Sequence, residues 1–172
     1  MFDEKQHYLN SSLRENIIEH LFVGTALQNL WRQGRTDVEI LRSEFDAYGY
    51  DLVISSGKMV RHVQLKSGTT LKKVSVSDDL ARKPSGCVIF IMIDNTLNMG
   101  PFYMFGGEAG SPLPETSELK QTKRTTPNSD GKKPVRLKHR DVPAKSFKKY
   151  DDLSALLQSL LGAEAVATSD ER

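Results

Sequence analysis

Asp51, Gln64 and Lys66 bring a carboxylate, an amide and an ammonium group onto two neighbouring segments of one short stretch of chain. Tyr50 to Ile54 and Met59 to Lys66 both read as strands, and Ser55-Ser56-Gly57-Lys58 between them reads as a tight turn, so the two segments form the arms of a hairpin. Side chains alternate along a strand, so Gln64 and Lys66 share a face, His62 shares it with them, and Leu65 points to the other side. Gly49 relieves the backbone just before Asp51. A lysine between Val63 and Leu65 at a strand centre needs a partner or a use. Asp51 across the hairpin supplies the partner. The hairpin alone leaves two readings open, a functional cluster and a simple Asp51–Lys66 ion pair at a sheet edge.

The order of these residues, Gly-x-Asp on one strand and Gln-x-Lys on the next with a helix before both, resembles the PD-(D/E)XK nuclease superfamily. It looks most like the branch with Gln-x-Lys, which includes methylation-directed restriction nucleases and small bacterial proteins. The resemblance covers roughly residues 13–94. It implies a restriction-endonuclease-like core, metal-assisted phosphodiester hydrolysis, and Mg²⁺ as the cofactor, with Mn²⁺ as a substitute. Asp51, the Gln64 side chain and the backbone carbonyl of Leu65 would then be metal ligands, and Lys66 would act beside the scissile phosphate. The superfamily's helical acid is best matched by Glu19. Glu15 is the other candidate, although a capping box with Ser12 already accounts for it. Gln64 departs from the usual Asp or Glu at its position. An amide oxygen ligates a metal but brings no charge, so metal affinity should be weaker. Glu44 and Asp46 precede the motif as further acids or as loop surface.

Charge is uneven along the chain. The net charge is +2, but residues 118–150 carry 11 Lys/Arg against 3 Asp/Glu. That stretch is either a polyanion-binding surface or a solvated linker. On the first reading Lys120, Lys123, Arg124, Lys132, Lys133, Arg136, Lys138 and Arg140 track the phosphate backbone of a nucleic acid, with DNA expected, in a salt-dependent way. Two rivals remain. One is a catalytically inactive nucleic-acid-binding module of the same fold, and the other is a protein-interaction or immunity-type domain. Nucleases that cut two strands often work as dimers, so a homodimer is a further expectation of the resemblance.

Stepwise elements must hold these groups in place. Leu13, Ile17, Leu21, Leu30 and Trp31 fall at helical spacing, with Ser11 or Ser12 as cap and Gly34 as stop, and Ile17, Leu21 and Trp31 mark the expected buried stripe. Strands follow at Val38-Glu39-Ile40-Leu41, in the hairpin, and at Leu71 to Val76. A short helix starting at Ser77 comes next, then an apolar strand from Val88 to Asp94. Pro101 to Phe105 suits an edge strand, because its proline comes first. Pro134 to Lys138 reads as one more strand and Tyr150 to Leu161 as an amphipathic helix. The expected fold is α/β, a mixed central sheet flanked by helices. Its parts are a flexible start over 1–12, a nuclease-like core over 13–105, a mobile basic loop over 106–134, a strand and helix over 135–161 that complete the domain, and a disordered tail over 162–172.

Several classes are excluded. A single cysteine, Cys87, rules out a disulfide framework and a Cys-type zinc site, and its apolar neighbours make it a core residue. Gly106, Gly107 and Gly110 lack the following Gly-Lys-Ser/Thr of a phosphate loop, and neither Gly-x-Ser-x-Gly nor His-Glu-x-x-His occurs. Met1 to Gln6 lacks a secretory pattern, and the apolar run Val88 to Ile93 is too short to span a bilayer, so a cytoplasmic location is expected.

Overall fold

The computed structural model describes residues 9–45 and 48–162. The chain runs α1 (Ser11–Arg32), β1 (Val38–Arg42), β2 (Leu52–Ser56), β3 (Met59–Gly68), β4 (Lys73–Ser77), α2 (Asp78–Ala81), β5 (Gly86–Ile93) and β6 (Met99–Gly106). It continues through β7 (Gln121–Lys123), β8 (Val135–Pro143), a 3-10 turn (Ala144–Ser146), β9 (Lys148–Tyr150) and α3 (Leu153–Leu161). Six strands form a mixed sheet in the order β1-β2-β3-β5-β6-β9, and β4-β8-β7 form a second, smaller sheet. Among the described strands only β3 and β5 pair in parallel. The connection between them contains β4 and α2, because a parallel neighbour cannot be reached by a tight turn.

The α/β expectation with a mixed central sheet holds, with one refinement. One face of the large sheet carries Leu52, Ile54, Val63, Ile89 and Ile91, packed against α1 and α3. The other face carries Val88, Phe90 and Phe105 and is covered by β4 and β8, through Val74, Val76 and Val142, together with Leu80 of α2. β5 is buried along nearly its whole length because both of its faces are covered. Cys87 within it is fully buried, and burial pushes its thiol up to about 12.

Three local expectations change. The buried stripe of α1 is Ile18, Phe22, Ala26 and Leu30, whereas Ile17, Leu21 and Trp31 face outward. Both stripes have helical spacing, and the sheet selects the one whose side chains fit over Leu52 and Val63. The capping box does not form: the N-cap is Asn10, whose side chain makes no capping bond to the helix, and Glu15 lies 4.0 Å from Arg14. β6 is not the edge strand, since β9 pairs outside it and Phe102 is buried.

The segment 106–134, expected as a loop, contains β7 and buries Leu113, Thr116 and Thr122. Arg61 organises its start. This fully buried guanidinium donates to the carbonyls of Gly107 (2.9 Å), Glu108 (3.0 Å) and Ser111 (3.2 Å). Those bonds satisfy the two terminal nitrogens of a charge that could not otherwise be buried, while its Nε finds no partner among the described residues. Residues 1–8 and 163–172, and Asp46 with its neighbour at 47, lie outside the described residues. No described helix is long and apolar enough to cross a membrane.

Gly49 is where the fold constrains the approach to Asp51. Its φ is +72°, and an added Cβ would stand 2.5 Å from the Cβ of Ser77, the residue that caps α2. Gly49→Ala is expected to lower stability by roughly 1–3 kcal/mol, from the strained backbone and the clash together. Urea unfolding of the variant checks this, and an unchanged midpoint would show that the loop does not hold the approach tightly.

Candidate functional site

The site begins where β2 leaves β3. Their antiparallel register ends at Leu52 against Val63, with one further bond from the Asp51 N–H to the Val63 carbonyl (2.9 Å). Beyond that point β3 continues to Gly68, paired only with β5. Residues two apart on a strand direct their N–H and C=O to the same side, so Leu65, like Val63, directs both groups towards the vacated edge. The Asp51 carboxylate fills part of that vacancy: its Oδ2 accepts the Leu65 N–H at 2.6 Å. A charge-assisted bond of this kind replaces a missing ladder bond and fixes the carboxylate in the fork. The other end of the loop that leads into the fork is closed by the Ser43 N–H donating to the Asp51 carbonyl (2.8 Å).

A cleft of about 250 Å³ opens here, lined by Asp51, Leu65, Lys66 and Ser67 from the sheet and by Glu15, Ile18 and Glu19 from α1, with Asn16 at its rim. Four of the residues expected from the sequence therefore meet: Asp51, Glu19, Leu65 and Lys66. Glu19 faces the sheet because it follows the buried stripe one turn before Phe22, at the helix position adjoining Ile18. Lys66 is exposed and forms no ion pair with a described residue, so the simple Asp51–Lys66 pair is not what holds this hairpin.

Gln64 is placed differently. It is buried on the face of the smaller sheet and is not part of the cleft wall. Its Oε1 accepts no hydrogen bond from a described residue. A buried acceptor left in this state costs roughly 1–3 kcal/mol and calls for a ligand or water. His62, two residues earlier on the same face, meets Tyr50 edge-on at 5.0 Å between ring centroids. Lys83 lies 4.7 Å from the Tyr48 ring centre and 5.2 Å from that of Tyr50. Burial, with Lys83 adding to it, holds the His62 ring below its ordinary pKa and favours the neutral imidazole.

Sequence reasoning missed Arg42, at the end of β1. Its Nε and one terminal nitrogen each lie 2.6 Å from Glu19 Oε1, and its other terminal nitrogen lies 3.4 Å from His20 Nε2. The signal was thin: a basic residue closing a predicted strand. Glu15, set aside as a cap, in fact lines the cleft; its spacing of four from Glu19 put both on one helix face.

The basic residues separate into three groups. Lys123, Arg124 and Arg136 line a groove of about 560 Å³ with Thr122, Thr125 and Asn128. Lys138 lies 3.9 Å from Asp79, and Arg140 lies 3.3 Å from Asp78, so α2 already partly neutralises both. Lys120, Lys132 and Lys133 are exposed.

Among the described residues no group of three or more His, Cys, Asp or Glu side chains is placed to hold a metal ion. The donors that the cleft itself offers are the Asp51 and Glu19 carboxylates and the Leu65 backbone carbonyl, while the orphaned Gln64 oxygen lies outside its wall. These are all hard oxygen donors, which fit Mg²⁺ or Mn²⁺ and do not suit zinc. No family model matches the chain, and neither does any curated protein or solved structure.

The His62 environment gives a direct check. Its NMR titration midpoint is expected below 6.5, and Lys83→Ala should raise it without restoring 6.5, because burial is the larger cause. Since the folded state binds this proton less readily than the unfolded chain, stability should fall as pH drops through 6.5 towards the folded midpoint. A midpoint at or above 6.5 would contradict the packing around this ring.

Proposed function

We propose that the chain is a metal-dependent nuclease that hydrolyses phosphodiester bonds, with DNA as substrate, Mg²⁺ or Mn²⁺ as cofactor and the cytoplasm as its location. The observation that carries this reading is the meeting of Asp51, Glu19, Leu65 and Lys66 in one cleft at the fork of β2 and β3. Asp51 and Glu19 would hold the cation, with the Leu65 carbonyl as a neutral donor; Gln64, outside the cleft wall, is not among the ligands. A bound cation supplies the positive charge that offsets charge developing on the phosphate. Asp51 is kept in position by the Leu65 N–H, so its carboxylate is oriented before any ligand arrives. Lys66 lines the same opening, forms no ion pair with a described residue, and would contribute an ammonium group to a phosphate oxygen. Glu19 is shared with Arg42, which sets its orientation and lowers the net negative charge of the cleft.

Nicking of supercoiled plasmid in Mg²⁺ or Mn²⁺ tests the proposal. Lys66→Ala is expected to cut at least about 100-fold more slowly while binding DNA within about threefold of wild type, a small free-energy change. Failure of the wild type to cut any nucleic acid with either metal would end the enzyme reading.

A second reading follows from Arg42. A guanidinium on Glu19 already occupies the position of positive charge, as a metal-free binding module of the same fold would arrange it. That reading expects binding without cleavage. Both readings use the groove of Lys123, Arg124 and Arg136. Replacing all three with alanine should weaken DNA binding across sequences and reduce the slope of log K against log salt by about 2–3, as measured by fluorescence anisotropy between low and moderate salt. Absence of binding by the wild type even at low salt would remove nucleic acid from the account and favour a protein-interaction domain.

A further inference from the structure

Of the large apolar residues that the fold leaves exposed, the greatest concentration lies on α1. Leu13 (60%), Ile17 (36%), Leu21 (43%) and Trp31 (71%) form one line, flanked by Leu9 and Leu27. At 100° per residue the five that belong to the helix fall within about a third of its circumference, together with the polar His20 and Gln28, while Arg14 and Arg32 stand at the border of the stripe and no carboxylate lies in it. Gly24 sits inside the same line, and a Cβ added there would meet nothing within 4 Å, so the surface has a shallow gap at its middle.

The core does not need this stripe. The opposite face of α1, Ile18, Phe22, Ala26 and Leu30, already covers the sheet. Scaled by fractional exposure, the six side chains present on the order of 500–600 Å² of apolar surface, the upper end of what monomers leave in one patch. A stable interface of standard size takes roughly 800 Å² from each partner, of which rather more than half is apolar. One helix stripe of this area, with a modest rim, meets that requirement.

We propose that the outer face of α1 is the seam of a homodimer, in which two copies of the stripe pack against each other about a two-fold axis. A second copy is the partner the surface fits. Its centre is a row of apolar side chains with basic residues only at the border, which disfavours a nucleic acid, and it is long and ridged, which suits another helix. The gap at Gly24 lets a large side chain of the facing helix approach the backbone closely. A symmetric pairing gives each leucine an apolar neighbour without any other surface. Trp31 is the most exposed member and has the size and flatness of an interface anchor. Glu15 and Glu19 stand about 160° around the helix from Ile17, so each cleft stays open on the side of its own helix away from the seam. The proposal does not depend on what the cleft binds.

Light scattering coupled to size exclusion on the full chain, from about 1 to 100 μM, tests it, since weak dimers populate over that range. The wild type is expected at twice the monomer mass at the upper concentrations. Leu21→Glu with Trp31→Glu is expected to run as a monomer throughout, its dissociation constant raised at least about 100-fold. Both sites are solvent-exposed in the single chain, so thermal unfolding of the dilute variant should match that of the dilute wild type. A chain lacking residues 1–8 should remain dimeric. Wild-type protein that is monomeric at 100 μM would overturn the proposal, as would a double variant that still dimerises. So would a dimer that appears only when residues 1–8 are removed, because that segment would then be what covers the stripe.

Discussion

The account rests on one backbone vacancy. β3 outlasts β2, and Leu65 is left with its N–H aimed at an edge where no strand continues. A peptide N–H in that position must find an acceptor, and the Asp51 carboxylate provides it at 2.6 Å. The same geometry turns the Leu65 carbonyl towards the same edge. A structural requirement of the sheet therefore places a carboxylate and a carbonyl side by side, at the place where α1 brings Glu19 and the end of β3 brings Lys66.

The rest of the fold can be read as support for that vacancy. Leu52 and Val63, buried beneath α1, fix the register up to the fork and so decide where it begins. The parallel pairing of β3 with β5 keeps the extended part of β3 straight after β2 has gone. Gly49 and the bond from the Ser43 N–H to the Asp51 carbonyl clamp the incoming loop from two directions. Arg42, at the far end of β1, ties Glu19 to the sheet and so sets the width of the cleft. Arg61, two residues before Val63 and on the same face of β3, anchors residues 107–111 through its guanidinium.

Much of this was legible in the sequence. The hairpin and the approach of Asp51 to the Gln64–Lys66 strand follow from alternation and from Gly57, and the pairing survives, although the first arm runs from Leu52 to Ser56 and the turn shrinks to Gly57 and Lys58. The α/β class followed from the order of helix, strands and helix. The stripe of α1 was misread because Ile17, Leu21 and Trp31 are as apolar and as well spaced as Ile18, Phe22 and Leu30. Helical periodicity identifies two candidate faces here, and only tertiary packing separates them. The smaller sheet was hidden for a different reason: β7 is three residues long, set among Gly, Pro and Thr, and gains its place by pairing with β8 across a long sequence separation. Gln64 shows a third limit. Its type and spacing were readable, but not that its oxygen is buried behind the cleft without a hydrogen-bond partner among the described residues.

The claim at the centre is that the fork of β2 and β3 is a cation site. Anomalous diffraction from crystals soaked in Mn²⁺ addresses it directly, because the ion itself is located without reliance on turnover. The account predicts a peak within coordination distance, roughly 2.0–2.4 Å, of an Asp51 carboxylate oxygen, with the Leu65 carbonyl or Glu19 among its other neighbours. Occupied manganese elsewhere with none at the fork, or a fork peak that persists unchanged in Asp51→Ala, would contradict it.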